Sequence, residues 1–304
     1  MLAIDKPAGR TSRDVCNRIE RLVRPDKVGH TGTLDPLATG VLLLAIGSAS
    51  RLVEFSLGHS KEYEADFQLG MCSETLDIDS TLHPIESAPR PSRGAIEAEM
   101  AKWIGNVEQV PPKYSAINVS GRRAYDLARK GREFHLPPRE IIVYAIEILA
   151  YDYPLLTLRI ECGSGTYVRS LGSDIAIGLG SDAVMSRLVR TRIGPYQLSE
   201  CALLDSLQSP ADVAARLRPP QQLIANLPVT VLSSDQCTDI RHGVPLQLNE
   251  LTEEKIVAMD ACDNLVAVLT RAELPGRYRS VRVFHEMSET SQPKTISRPH
   301  SPES

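Results

Sequence analysis

Several absences narrow the reading before any motif is considered. The six cysteines (Cys16, Cys72, Cys162, Cys201, Cys237 and Cys262) include no C-x-x-C pair and no nearby histidine pairing. That argues against a zinc site and a disulfide framework, and it fits a reducing compartment. The opening Met1-Leu2-Ala3-Ile4-Asp5-Lys6-Pro7 offers no apolar signal core, and no run approaches a membrane span. A cytoplasmic protein with no membrane partner is the expectation. An excess of positive charge is missing too, since the formal net charge is -4. A nucleic-acid partner would therefore have to be met by a local basic face. At 304 residues the chain has room for one large domain plus a small one, or for two medium ones.

What is present gathers first around Asp35. The stretch from Lys27 to Gly40 holds Gly29, Gly32 and Gly40, the hydroxyls of Thr31 and Thr33, and His30. Pro36 pushes Asp35 out of the α region, so its carboxylate belongs on a loop. Val41 to Gly47 then reads as a short buried strand. A carboxylate on a glycine-rich loop anchored by a core strand is a place for chemistry; an Asp-Pro turn capping a strand is the plain alternative. The loop lacks the Gly-Lys-Ser/Thr ending of a nucleotide phosphate loop.

Further along, Ser12 can cap a helix carrying Val15, Ile19, Leu22 and Val23. Residues 61–70 alternate, with Tyr63, Ala65, Phe67 and Leu69 on one face. Tyr63 is then a core aromatic at a strand end or, more sharply, a platform for a base. Residues 84–95 read as a connection and 96–104 as a helix. Next comes a basic stretch with Lys113, Arg122, Arg123, Arg129, Lys130 and Arg132, interleaved with Tyr114 and Tyr125. Cations for phosphates with aromatics for unstacked bases suit an RNA loop, while a solvated helix face is the alternative. Leu156, Leu158, Ile160 and Cys162 mark a strand. Thr166 can cap a helix whose core face holds Val168, Leu171, Ile175 and Leu179. Arg169 falls in its first turn, where the helix dipole favours anions, so an external carboxylate or phosphate partner is implied. Residues 205–225 are a connector, the segments from Val229 to Leu269 read as a small all-β module, and 287–304 read as disordered.

Five motifs in order carry a resemblance. They are Asp5-Lys6-Pro7-x-Gly9-x-Thr11-Ser12, Gly29-His30-Thr31-Gly32-Thr33-Leu34-Asp35-Pro36 and Lys61-x-Tyr63, followed by Pro111-Pro112-x-x-Ser115-Ala116 with Gly121-x-Arg123-x-Tyr125, and Gly165-Thr166-Tyr167-Val168-Arg169. The chain resembles the TruB family of tRNA pseudouridine-55 synthases. The resemblance implies an α+β pseudouridine synthase fold, a mixed, mainly antiparallel sheet flanked by helices. It implies a catalytic domain over 1–225, with an RNA-gripping insertion at about 109–140, and a PUA-like RNA-binding domain over 226–286. It further implies a monomer that isomerises uridine 55 in the T-arm of tRNA without a metal, a cofactor or an obligate protein partner.

Carried over by position, Asp35 is the nucleophile, Arg169 its ion-pair partner, and Tyr63 the aromatic on the target base. His30 fills the space left by the flipped base and Leu188 lies under it. Lys6, Lys113, Tyr114, Arg122, Arg123, Tyr125, Arg129 and Lys130 join the substrate-binding set. Asn118 and Ser164 stand where the family commonly has lysines, and Ser80 replaces a glycine after the Asp77-x-Asp79 turn. Two other classes compete: an RNA-folding helper, and a synthase working in a guided complex, which would carry a larger basic C-terminal region.

Overall fold

The computed structural model describes residues 1–115, 117–119 and 121–284. The expected tail at 287–304 lies outside the described residues. Two compact units divide at Leu223 and Ile224.

The first unit is built on ten strands. These are β1 (Leu2–Lys6), β2 (Val28–His30), β3 (Thr39–Ile46), β4 (Lys61–Leu69), β5 (Gly105–Gln109), β6 (Arg139–Asp152), β7 (Leu155–Cys162), β8 (Ala183–Ile193), β9 (Tyr196–Gln197) and β10 (Ala202–Leu203). Their order is β10-β1-β3-β8-β4-β7-β6-β5, with β2 paired to β3 and β9 to β8. Only β1/β10 and β3/β8 run parallel. The helices of this unit include α1 (Ser12–Leu22), α2 (Arg93–Met100), α3 (Ala124–Arg129) and α4 (Val168–Gly178). The expected α+β class with a mixed, mainly antiparallel sheet is what folds.

The apolar run of β3 is continuous because Val41 to Ala45 are fully buried, as a central strand covered on both faces requires. In β4 the alternation is half-buried: Tyr63, Ala65 and Phe67 pack with Leu171 and Ile175 of α4, while Glu62, Glu64 and Asp66 face outward. That outer face is a cross-strand charge ladder. Arg159 pairs with Glu64 and Glu147, Arg187 with Glu64 and Asp66, and Arg192 with Glu62 and Glu161.

Three helix starts differ from the sequence expectation. The α1 cap is Thr11, in a capping box with Asp14. Ser12 is instead buried, its hydroxyl donating to Leu34 O at 3.1 Å and accepting from Leu34 N at 2.9 Å. Helix α2 begins at Arg93 behind a Ser92 cap, so it takes in residues read as connection. Thr166 does not cap α4. Its N-cap is Tyr167, whose N–H is satisfied at 2.8 Å by Gln109 Oε1 from β5, a partner invisible to local pattern.

Helix α4 packs closely enough that Gly172 is required. A Cβ there would lie 1.9 Å from Phe67 Cε1. Gly172→Ala gains roughly 1 kcal/mol of helix propensity. It is nonetheless expected to lower stability by about 1–3 kcal/mol through overpacking. Urea midpoints should show this loss, and Phe67→Leu in the same chain should recover part of it.

The C-terminal unit is a five-stranded sheet in the order Val229–Val231, Lys255–Met259, Leu265–Arg271, Arg277–Val283, Leu246–Gln247. It is the small β domain expected of the PUA type, with one correction. It is not all-β, because Ser234–Arg241 is a helix capped by Ser233 and Gln236, with Cys237 and Ile240 in the core.

Candidate active site

The loop between β2 and β3 is held from several sides. Thr31 N donates to Leu43 O at 3.0 Å, and Gly9 N donates to Pro36 O at 2.8 Å. The Ser12 hydroxyl clamps Leu34, which is itself buried. Lys6 Nζ donates to Pro7 O at 3.0 Å, Arg10 O at 2.7 Å and Pro36 O at 3.2 Å. All three ammonium donors are thus used, and Lys6 is 0% exposed. Lys6, expected in the substrate-binding set, thus fastens the loop. Burial pulls its pKa down to about 8, with Asp35 acting the other way.

Asp35 emerges from this fastened loop with its side chain 33% exposed, opposite an Arg169 side chain that is 6% exposed. The pairing is two-pronged: Arg169 Nε to Asp35 Oδ2 at 2.9 Å and Nη2 to Oδ1 at 3.3 Å. The remaining guanidinium hydrogens are also engaged. Nη1 donates to Thr75 O at 2.6 Å and faces Asp77 Oδ2 at 3.3 Å, and Nη2 donates to Tyr114 O at 3.2 Å. Arg169 thus makes three hydrogen bonds and two further ion-pair contacts, which fix its plane and with it the carboxylate. Arg169 is itself buried, and the carboxylate partner implied by its first-turn position is Asp35.

Asp77 is a residue that sequence reasoning missed, treating Asp77-x-Asp79 only as a turn. Its side chain is 5% exposed and its Oδ1 accepts from the Thr75 hydroxyl and from Asp79 N at 3.1 Å. Two carboxylates thus share one guanidinium. Burial and then the charges of Asp77 and Asp35 push the Asp79 carboxyl above its ordinary value.

Tyr63 and Leu188 belong to the same buried cluster as Leu34 and Ala38 of the loop, and Tyr63 lies within the field of Asp35. Burial raises the Tyr63 phenol. His30, half-buried on β2, has an Nδ1 without a partner, and burial followed by the charges of Arg13, Arg190 and Arg123 lowers its pKa, which keeps the imidazole neutral near pH 7. Lys61 is buried as well, donating to His59 O at 2.8 Å and Ser164 Oγ at 2.6 Å, and burial pulls its pKa down to about 8.

The basic stretch is placed differently. Lys113, Arg122, Arg123, Tyr125, Arg129 and Lys130 are exposed. Arg122 and Arg123 lie on a two-residue ladder with Asn118–Val119, Tyr125 and Arg129 on α3, where Arg129 lies over the Tyr125 ring at 5.6 Å, and Lys130 at its C-cap, while Lys113 precedes the ladder. Of the stretch, Tyr114 reaches the ion pair, through its carbonyl on Arg169, while its hydroxyl donates to Glu74 at 3.1 Å. Among the described residues no group of His, Cys, Asp or Glu is arranged to hold a metal ion, and no helix is long and apolar enough to cross a membrane.

A sequence model described as "TruB family pseudouridylate synthase (N terminal domain)" matches residues 20–168. A tRNA pseudouridine synthase B of Dehalococcoides mccartyi is 34% identical over 287 residues, covering 93% of this chain and 96% of that protein. The chain belongs to the TruB family. Among other TruB relatives, a tRNA pseudouridine synthase B of Rhodopirellula baltica is 40% identical over 253 residues, 79% of this chain and 73% of its own. One from Geobacillus thermodenitrificans is 34% identical over 93% of this chain and 99% of its own. The fold agrees: a crystal structure of a Cbf5-Nop10-Gar1 complex matches with a TM-score of 0.70 at 25% identity, over 93% of this chain and 83% of that one. The TruB resemblance read from the five motifs is confirmed.

Proposed function

We propose that this chain is a tRNA pseudouridine synthase that isomerises uridine 55 in the T-loop, with Asp35 as nucleophile. The observation that carries the reading is the Asp35–Arg169 pair, a one-third-exposed carboxylate held two-pronged by a buried guanidinium. An ordinary aspartate, with a pKa of about 4, is ionised at neutral pH and needs no base to act. Arg169 supplies Asp35 with a two-pronged, charge-assisted partner that stays in place once RNA excludes water.

In the reaction the C1′–N1 bond breaks, the uracil turns, and C5 bonds to C1′ and gives up its proton while N1 gains one. Atoms balance, and no oxidant or reductant is needed. Extruding the uridine costs a few kcal/mol. Stacking against Tyr63 returns roughly 1–3 kcal/mol, with Leu188 beneath the base and His30 in the vacated space. Lys113, Arg122, Arg123, Arg129 and Lys130 supply phosphate contacts, with Tyr114 and Tyr125 as stacking surfaces. The protein works as a monomer in the cytoplasm, on the T-arm alone.

Pseudouridine mapping of total tRNA from cells with and without the protein tests this. Loss of the modification at position 55 alone is the expected result. An unchanged position 55, or loss at other sites instead, overturns the reading.

A further inference from the structure

The strand that brings Leu188 to the site also brings Arg190, a residue with no part in the chemistry above. Its side chain is among the most deeply buried in the protein, at 1% exposure. Nε donates to Val41 O at 2.7 Å and Nη2 to Gly32 O at 3.2 Å. These carbonyls flank Asp35, so one guanidinium grips the catalytic loop on both sides. Gly40 completes the grip through the backbone: a Cβ there would lie 2.3 Å from Arg190 O. The guanidinium also sits 6.0 Å from the centre of the Tyr63 ring.

Among the described residues no carboxylate lies within 4.0 Å of the Arg190 guanidinium. Holding a cation in a core without a carboxylate is costly. Lys6 and Lys61 are buried in the same region, and Arg190 adds to the burial that holds both below the usual lysine range. A region that retains such standing positive charge beside a reaction site is arranged for negative charge that appears later.

We propose that Arg190 is a positioning residue of the reaction, fixing both ends of the Asp35 loop and favouring, by its unpaired charge, the detached base as an anion. This rests on the function proposed above. When the C1′–N1 bond breaks, the bonding pair leaves with the uracil. The base is then a monoanion until C5 bonds to C1′, after which C5 gives up its proton and N1 gains one. A guanidinium beside Tyr63 is in place before that charge forms, so nothing has to reorganise. Across the ring and one stacking distance, with an effective dielectric constant of ~20, the charge alone is worth on the order of tenfold in rate.

Three variants separate grip from charge, read by tritium release from C5-labelled T-arm RNA under saturating conditions. Arg190→Lys keeps the charge and loses the fork, Arg190→Gln keeps an amide donor but loses both the fork and the charge, and Arg190→Met loses every donor and the charge. Arg190→Gln and Arg190→Met are expected to lower kcat about 10²-fold, with the Kd for RNA within about threefold of wild type, since Arg190 is not at the surface. Arg190→Lys should exceed Arg190→Gln by about tenfold, a difference that a purely structural role would not produce. Where Arg190→Met fails to fold, the Lys and Gln pair decides. A wild-type kcat in Arg190→Gln, or Lys no faster than Gln, overturns the proposal. A wild-type protein that releases no tritium overturns the proposed function itself, a result distinct from variants that match an active wild type.

Discussion

Asp35→Asn is expected to abolish tritium release from C5-labelled T-arm RNA while leaving RNA binding within about tenfold of wild type. The substitution is nearly isosteric, and the loop around it is held by contacts that do not involve the carboxylate. Ser12 still clamps Leu34, and Lys6 still binds Pro36 O. Arg169 keeps Asp77, Thr75 O and Tyr114 O. The lost charge-assisted bonds cost about 1–3 kcal/mol, so the variant folds. What disappears is the nucleophile, and loss of a nucleophile lowers kcat by roughly 10⁴-fold or more. Filter binding and tritium release on the same preparation separate the two effects. Turnover retained by the asparagine variant would remove Asp35 from its role.

Arg169→Met should damage both stability and activity, for one electrostatic reason. It leaves Asp77, whose side chain is 5% exposed, and Asp35 without their common cation. Stranding buried charge in this way costs about 3–5 kcal/mol. Adding Asp77→Asn should restore part of the stability and none of the activity, a coupling that a double-mutant cycle in urea resolves. Arg169→Lys is not a rescue, because a point charge cannot hold two carboxylates and two carbonyls in one plane. A methionine variant as stable as wild type would show that the pair of carboxylates does not depend on Arg169.

Much of this was legible before any coordinates, and the reason is periodicity. The alternation of residues 61–70 and the apolar run at 41–46 fix which side chains enter the core, so Tyr63 lands beside the Asp35 loop. Features decided by distant partners were not legible. Asp77 is drawn inward by an arginine 92 positions away, and Ser12 by Leu34. Arg187, Arg190 and Arg192 look alike in sequence. A strict period of two would put Arg190 and Arg192 on one face, but register shifts on either side of Arg187–Arg190 interrupt the ladder with β4. Arg190 goes inside and Arg192 joins Glu161 outside. The helix Ser234–Arg241 was within reach, since Ser233 and Gln236 have capping-box spacing.

The charge ladder on the outer face of β4 bears on how RNA arrives. Five carboxylates there face three guanidiniums, leaving a surplus of negative charge on the side of the sheet turned away from Tyr63. A polyanion drifting toward that side is turned back, while one nearing the exposed cations between Lys113 and Lys130 is drawn in. Diffusional encounters are thereby sorted before any contact forms, with fewer collisions wasted on the wrong face. Such sorting is a property of the association rate, and it fades as added salt shortens the reach of both fields.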